Sequence, residues 1–260
     1  MSLELIKLSK TFCNGDGNEA ITALQGISFF VDNGQFVSII GPSGCGKTTV
    51  LRIISGLETP TSGEVHINGR RPKEPWRHVG FVFQEYALFP WRTVSKNIEF
   101  GLEVKSISKK ERRQRAVEYI QRFGMKGFED KYPNELSGGM KQRVAIARTL
   151  VNDPSIVLMD EPFGALDSQT RGNLQKFLFR VWQQSKQTIV FVTHNIDEAV
   201  FLSQRVIGFS NRPGRVKLSL SIDLPYPRDV TGDDFNRYRR EIIEFLNGEK
   251  LSEPGFGIEA

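Results

Sequence analysis

Gln35-Phe36-Val37-Ser38-Ile39-Ile40 runs directly into Gly41-Pro42-Ser43-Gly44-Cys45-Gly46-Lys47-Thr48-Thr49, and Val50-Leu51-Arg52-Ile53-Ile54 follows. An apolar run, a glycine-rich turn and a second apolar run at helical spacing predict strand, loop and helix in that order. The spacing G-x-x-x-x-G-K-[ST] is what a phosphate cradle requires. Glycines at 41, 44 and 46 let the backbone turn tightly enough for successive N–H groups to face phosphate oxygens, and the helix behind them adds its positive end. In such a cradle Lys47 reaches the β- and γ-phosphates and Thr48 sets a hydroxyl on Mg²⁺, while Pro42, Ser43, Cys45 and Thr49 complete the nucleotide-binding loop. The bland alternative is a glycine-rich turn with a surface lysine.

Two more apolar runs point to the same chemistry. Ile156-Val157-Leu158-Met159 suits a buried parallel strand, yet it ends in Asp160-Glu161-Pro162. The two carboxylates divide the work: Asp160 is placed to hold Mg²⁺ beside Thr48, and Glu161 to orient and deprotonate a water. An exposed acidic turn is the alternative. Thr188 to Thr193 is a further buried strand, and it delivers His194 to the carboxyl-end edge where open α/β sheets bind ligands, so a γ-phosphate contact is expected of His194.

Outward from this centre, residues 3 to 8 and 27 to 31 read as strands of an antiparallel flank around the polar loop Cys13 to Asn18. Phe12, just before that loop, offers an aromatic face to a base or fills core. Asn68-Gly69 is a hairpin signal, and the short strand 79 to 83 ends at Gln84. From 85 to 152 the pattern turns helical, which marks an inserted lobe. Within it Ser108-Lys109-Lys110-Glu111 is a capping box, opening a helix with Val117 and Ile120 on one side and a stop at Gly124. Leu136-Ser137-Gly138-Gly139-Met140 starts another helix: either it is plainly capped by Ser137, or its N-terminus is a second anion site. A short helix is expected over 197 to 203 and a last core strand over 205 to 209. Turn-rich linkers at 212 to 215 and 224 to 228 then lead to an amphipathic helix over 235 to 246 and a loose end.

The chain has 260 residues, 39% hydrophobic and 25% charged, with 35 basic and 30 acidic groups for a net charge of +5. That mild excess fits nucleic acid, an anionic membrane surface or nothing in particular. The basic run Lys109 to Arg115 reads as a solvated helix face. Cys13 and Cys45 fall in different settings, so no disulfide and a reducing cytosol are expected. No signal peptide and no run near the ~18 apolar residues of a membrane span is visible, so any membrane role must come through a partner. Backbone N–H groups and Lys47 should lower the thiol pKa of Cys45 and make it reactive if exposed.

Taken in order, these residues resemble the ATP-binding subunit of ABC transporters, from residue 3 to about 216. The resemblance rests on the phosphate loop at 41 to 49, Gln84 as the Q-loop glutamine, the signature Leu136-Ser137-Gly138-Gly139, the strand ending Asp160-Glu161, Ala165-Leu166-Asp167 as the D-loop, and His194. It implies a P-loop NTPase (RecA-like) α/β core at 1–84 and 153–216, with an antiparallel β flank and an α-helical subdomain at 85–152. Residues 217–260 form a C-terminal tail with its helix. It implies ATP and Mg²⁺ as cofactors, Gln84 as a further catalytic residue and metal ligand, and Phe12 on the adenine. It also implies a head-to-tail dimer, of two copies or with a related subunit, in which residues 136 to 140 of each chain contact the partner's ATP. Two positions depart from the pattern: Met140 where Gln is common, and Phe12 where Tyr usually stacks.

A finer resemblance joins Gln84 to Trp91, Thr193 to Ala199 and Phe209 to Gly214 to bacterial importers of nitrate, sulfonates and taurine. It implies a transmembrane permease, a periplasmic or lipid-anchored binding protein, and a peripheral place on the inner face of the membrane, with no nucleic acid. Phe89, Pro90 and Trp91 are expected to line a groove for a permease helix, or to fill the lobe's own core. The rival readings are a soluble ABC ATPase acting on nucleic acid or ribosomes, which usually carries two modules or a long coiled coil, and an exporter subunit.

Overall fold

The computed structural model describes residues 2–13 and 20–251, so the polar loop expected after Cys13 and the loose end expected beyond the terminal helix lie outside the described residues. In chain order the elements are β1 (Leu3–Cys13), β2 (Ala20–Val31), β3 (Phe36–Ile40), α1 (Lys47–Ser55), β4 (Ser62–Ile67) and β5 (Val79–Val82). The helices α2 (Val94–Val104), α3 (Lys109–Arg122) and α4 (Gly138–Leu150) come next, then β6 (Ile156–Asp160) and α5 (Ser168–Ser185). The chain finishes with β7 (Thr188–Val192), α6 (Ile196–Leu202), β8 (Arg205–Phe209), β9 (Val216–Ser221) and α7 (Asp233–Leu251). Two compact units result, 1–78 with 186–260, and 79–185.

In the first unit β1 pairs antiparallel with both β2 and β4, the expected flank. Leu3, Leu5, Ile27 and Val31 of this sheet are buried. The Asn-Gly signal is realised after β4: Asn68 and Gly69 both take positive φ (51° and 74°), and Ile67 and Arg70 exchange backbone hydrogen bonds across them. Both signs are those of a type I′ turn, whose twist matches the strands it joins.

The second sheet of this unit has β3 between β7 and β8, parallel to both, with β9 antiparallel on β8. All five residues of β3 and of β7 are buried, which is why their sequences read as continuous apolar runs. β8 is not the last strand as expected, because β9 follows it. Val216-Lys217-Leu218-Ser219-Leu220-Ser221 alternates half-buried and exposed positions, and so short an alternation with lysine and serine does not stand out from the linkers beside it. α7 is the expected terminal helix, extended to Asp233–Leu251, and its apolar face is anchored: Phe235, Tyr238 and Ile242 are buried with Ile40, Val200, Val206 and Ile222 in one core.

In the second unit β5 runs parallel to β6, in register from Val79 with Ile156 to Val82 with Met159. α4 crosses β5, and Thr149 Oγ1 donates to the Phe81 carbonyl (3.3 Å). Ser108 caps α3, its Oγ accepting from Glu111 N at 3.3 Å, and the chain leaves this helix at Gly124 with φ 66°. The buried stripe of α3 is Ala116 and Ile120; Val117 is exposed, because the i, i+4 pair takes the inner face and leaves position 117 at its edge. α5, which no motif announces, buries Leu174, Phe177, Leu178, Val181 and Trp182, and Phe123 meets the Phe177 ring edge-on at 5.0 Å. Among the described residues no helix is long and apolar enough to cross a membrane.

Candidate functional site

The phosphate loop of the first unit is built by close backbone approach. Gly41, Gly44 and Gly46 all have positive φ (156°, 76° and 98°). A Cβ on Gly41 would stand 2.8 Å from the Phe209 carbonyl oxygen, and one on Gly46 would stand 2.5 Å from Leu24 Cδ2. Gly46 is the N-cap of α1 and brings no side-chain cap, and a helix N-terminus that begins on glycine lets an anion approach its positive end. Lys47 is only 7% exposed, and its Nζ donates to the Gly41 and Pro42 carbonyls, both at 2.8 Å, along the inside of the turn. Ser43, Gly44 and Thr48 are exposed, whereas Pro42 and Thr49 are half-buried.

Cys45 departs from expectation. Its side chain is fully buried, and burial pushes the thiol pKa up, against the pull of Lys47, whose Nζ lies 3.9 Å from Sγ. Desolvation outweighs a nearby charge here because the thiolate would lose its water on every side.

His194 stands at the same sheet edge. β3 and β7 are paired in parallel register through Ile39 and Val192, so two residues further on lie Gly41 and His194. Thr193 fixes the turn that presents His194, accepting from Asn195 N (3.0 Å) and donating to Glu198 Oε2 (2.6 Å), while Asn195 Oδ1 accepts from Glu198 N (3.2 Å) to cap α6. Phe12 belongs to the other sheet of this unit. It is 39% exposed, opposite Ile21, with Lys10 Nζ 4.8 Å above its ring.

The second unit carries the carboxylates and the signature. Asp160 is buried at the end of β6. The next residue, Glu161, has φ 43°, a left-handed backbone that costs a non-glycine residue on the order of 1 kcal/mol and gathers at functional sites. The turn closes through Gly164 N donating to Glu161 O (3.1 Å). Gln84 and Glu161 come together at Gly164: a Cβ built there would lie 3.7 Å from Gln84 Nε2 and 3.8 Å from Glu161 Oε2.

The start of α4 is equally crowded. Ser137 caps it, its Oγ accepting from Met140 N at 3.3 Å, and a Cβ on Gly138 would meet Tyr86 Oη at 3.0 Å and Leu166 Cδ2 at 3.1 Å. Gly139 is as closely approached by Thr170 Cγ2, at 2.8 Å. Leu136 is buried, Ser137 exposed and Met140 half-buried. Asp167 Oδ1 accepts from Thr170 N at 2.9 Å, and this hydrogen bonding holds its pKa below the usual carboxylate value. The residues offered for a metal, Thr48 in one unit and Gln84 and Asp160 in the other, are all oxygen donors, the chemistry that suits Mg²⁺.

Tyr86 and the stretch 209 to 214 belong to the segments that carry the finer resemblance, but their contacts with Gly138 and with the phosphate loop, and the place of Gly164 beside Gln84 and Glu161, are not legible in it. The sequence names these residues without saying what each one touches.

The ABC transporter family model matches residues 24–164. An uncharacterised ABC transporter ATP-binding protein of Methanocaldococcus jannaschii is 53% identical over 96% of this chain and 93% of its own length. The aliphatic sulfonates import ATP-binding protein of Bacillus cereus is 44% identical over 94% of this chain and 95% of its own. The nitrate import ATP-binding protein of Synechocystis sp. is 44% identical over 97% and 98%. Among solved structures, a dimeric ATP-binding cassette bound to ADP and Pi superposes with a TM-score of 0.75 at 37% identity, covering 86% of this chain and all of that one. With its fold, its motifs and its relatives in agreement, the chain belongs to the ABC transporter family and is one of its ATP-binding subunits, an ATPase.

Proposed function

We propose that this chain is the energy-coupling subunit of an importer for a small anion such as nitrate, a sulfonate or taurine, held peripherally at the inner face of the membrane by its permease. The catalytic half of the reading is carried by one observation: Glu161 sits in a strained left-handed turn with its carboxylate and the Gln84 amide gathered at one glycine. Lys47 and the N–H groups of Gly44 to Thr49 bind the β- and γ-phosphates of ATP, Phe12 stacks on adenine, and His194 contacts the γ-phosphate. Thr48, Gln84 and Asp160 would hold Mg²⁺, which when bound neutralises phosphate charge. Glu161 takes a proton from the attacking water, and Gln84 helps to orient that water. Ser137, Gly138 and Gly139, at the N-terminus of α4, serve the nucleotide of a second cassette in a head-to-tail dimer; the dimeric solved relative supports pairing of two cassettes. The cargo class is supported by relatives named for sulfonate and nitrate import, equally similar at 44% identity.

Glu161→Gln keeps the shape and removes the base. Its kcat should fall by roughly 10²- to 10⁴-fold with ATP affinity retained, and size-exclusion chromatography should show monomer alone and dimer with Mg-ATP. Wild-type turnover, or a monomer at saturating ATP, overturns the assignment.

A further inference from the structure

The phosphate loop is backed by a stretch of chain to which no role is yet attached. Behind Gly41 and Cys45 runs the segment from Phe209 to Arg215. A Cβ on Gly214 would stand 2.1 Å from the Cys45 carbonyl oxygen, so the two backbones meet only because residue 214 is glycine. Gly214 N donates to Ala23 O and Gly214 O accepts from Gln25 N, both at 2.9 Å, which ties the segment to β2.

From this anchored segment Arg212 reaches forward, and its Nε and Nη2 both donate to the Gly44 carbonyl oxygen at 3.3 Å. The arginine is itself set from behind. Its N–H donates to Asn211 Oδ1 (2.8 Å), and Asn211 N–H donates to Glu249 Oε2 of α7 (2.9 Å).

The carbonyl of Gly44 and the N–H of Cys45 are opposite ends of one planar peptide. Two charged donors on the carbonyl hold that plane from one end, and at the other end Cys45 N–H donates across the turn to Pro42 O at 3.4 Å, so the peptide is fixed on both sides and braces the curve of the loop. Polarising the carbonyl also makes the N–H at the other end a better donor.

We propose that Arg212 is a positioning residue for the nucleotide, acting through the Gly44–Cys45 peptide and set from α7 by Glu249. The inference rests on the assignment of residues 41 to 49 as the phosphate loop. Because Arg212 acts on the loop and not on the reacting phosphoryl group, it favours nucleoside di- and triphosphates alike and leaves the chemical step untouched.

The test is fluorescence titration of the full chain with the N-methylanthraniloyl derivatives of ATP and ADP, together with steady-state ATPase kinetics. Arg212→Ala should weaken both nucleotides and raise KM by about five- to tenfold, within the range of one ordinary hydrogen bond, with kcat unchanged as for uniform binding. Glu249→Ala should move affinity in the same direction, and the double variant should go no further than Arg212→Ala. Lys47→Ala is the companion measurement and should bind neither nucleotide. Unchanged affinity in Arg212→Ala beside a non-binding Lys47→Ala overturns the proposal and leaves the loop assignment standing, whereas a Lys47→Ala that binds normally refutes the assignment itself. A loss confined to ATP, a fall in kcat at constant KM, or additive losses in the double variant also overturn it.

Discussion

Cys45 shows how burial reverses an expectation drawn from neighbours. Lys47 and the loop amides do pull its thiol toward ionisation, but the side chain is fully enclosed and desolvation is the larger effect, so the pKa is raised above the ordinary 9.0. At neutral pH Cys45 is therefore a protonated thiol enclosed by the fold, whereas Cys13 is exposed at the surface. Brief treatment of the native chain with a maleimide should modify Cys13 and leave Cys45 intact until denaturant is added, as peptide mass spectrometry would show; rapid loss of native Cys45, blocked by nucleotide, would restore the reactive reading. The residues legible in the sequence are those whose type and spacing already state a chemistry: Lys47 after its glycines, Asp160 and Glu161 at the end of an apolar run. Arg212 was not legible, because its contact with Gly44 crosses 168 residues of chain.

At the scale of elements, the join between α6 and the chain that follows β9 rests on one arginine. Arg228 is buried, and its guanidinium donates to the carbonyls of Val200, Ser203 and Ile222, closing the C-terminal end of α6 as the helix dipole favours. Beside it Tyr226 Oη donates to Leu202 O (2.8 Å), and burial pushes the phenol pKa up to about 12. In the unfolded chain the phenol ionises near its ordinary 10. Above that pH the unfolded state holds fewer protons than the folded one, so this stabilisation is complete below pH 10 and is lost as pH rises toward 12. The loss is at most about 3 kcal/mol. Urea unfolding between pH 9 and 12 should show this decline in wild type and a shallower one in Tyr226→Phe; parallel curves would contradict it. The linker was legible as Leu224-Pro225-Tyr226-Pro227-Arg228, but not that it turns inward, because prolines announce a turn and are silent about what packs under it. β9 and α5 were hidden for a related reason: their positions are decided by the surface they cover, and no local motif encodes that surface.

For the molecule as a working part of a transporter, the feature that matters is Trp91. It is 72% exposed, on the rim of a groove of about 550 Å³ lined also by Arg92, Lys96, Glu99, Arg112 and Tyr132, while Phe89 packs on Phe100 at 4.5 Å between ring centres. Of the two expectations for this stretch, Phe89 leans to the lobe's own packing and Trp91 to the groove. Trp91→Ala should leave ATP binding and the melting temperature of the isolated subunit unchanged and reduce anion uptake by reconstituted transporter by at least about tenfold, as loss of an aromatic anchor does. Full uptake in that variant would remove the groove from the docking surface. Family and reaction were legible because nucleotide chemistry is written in short ordered motifs; the cargo was not, since no residue of this subunit need touch it. One feature of the fold also bears on how such a chain evolves. Glu161 holds a left-handed backbone that glycine or asparagine would adopt at less cost. With Glu161 as the proposed base, selection for turnover would hold the glutamate in that turn and selection for heat resistance alone would favour its replacement, so the two pressures would pull position 161 in opposite directions.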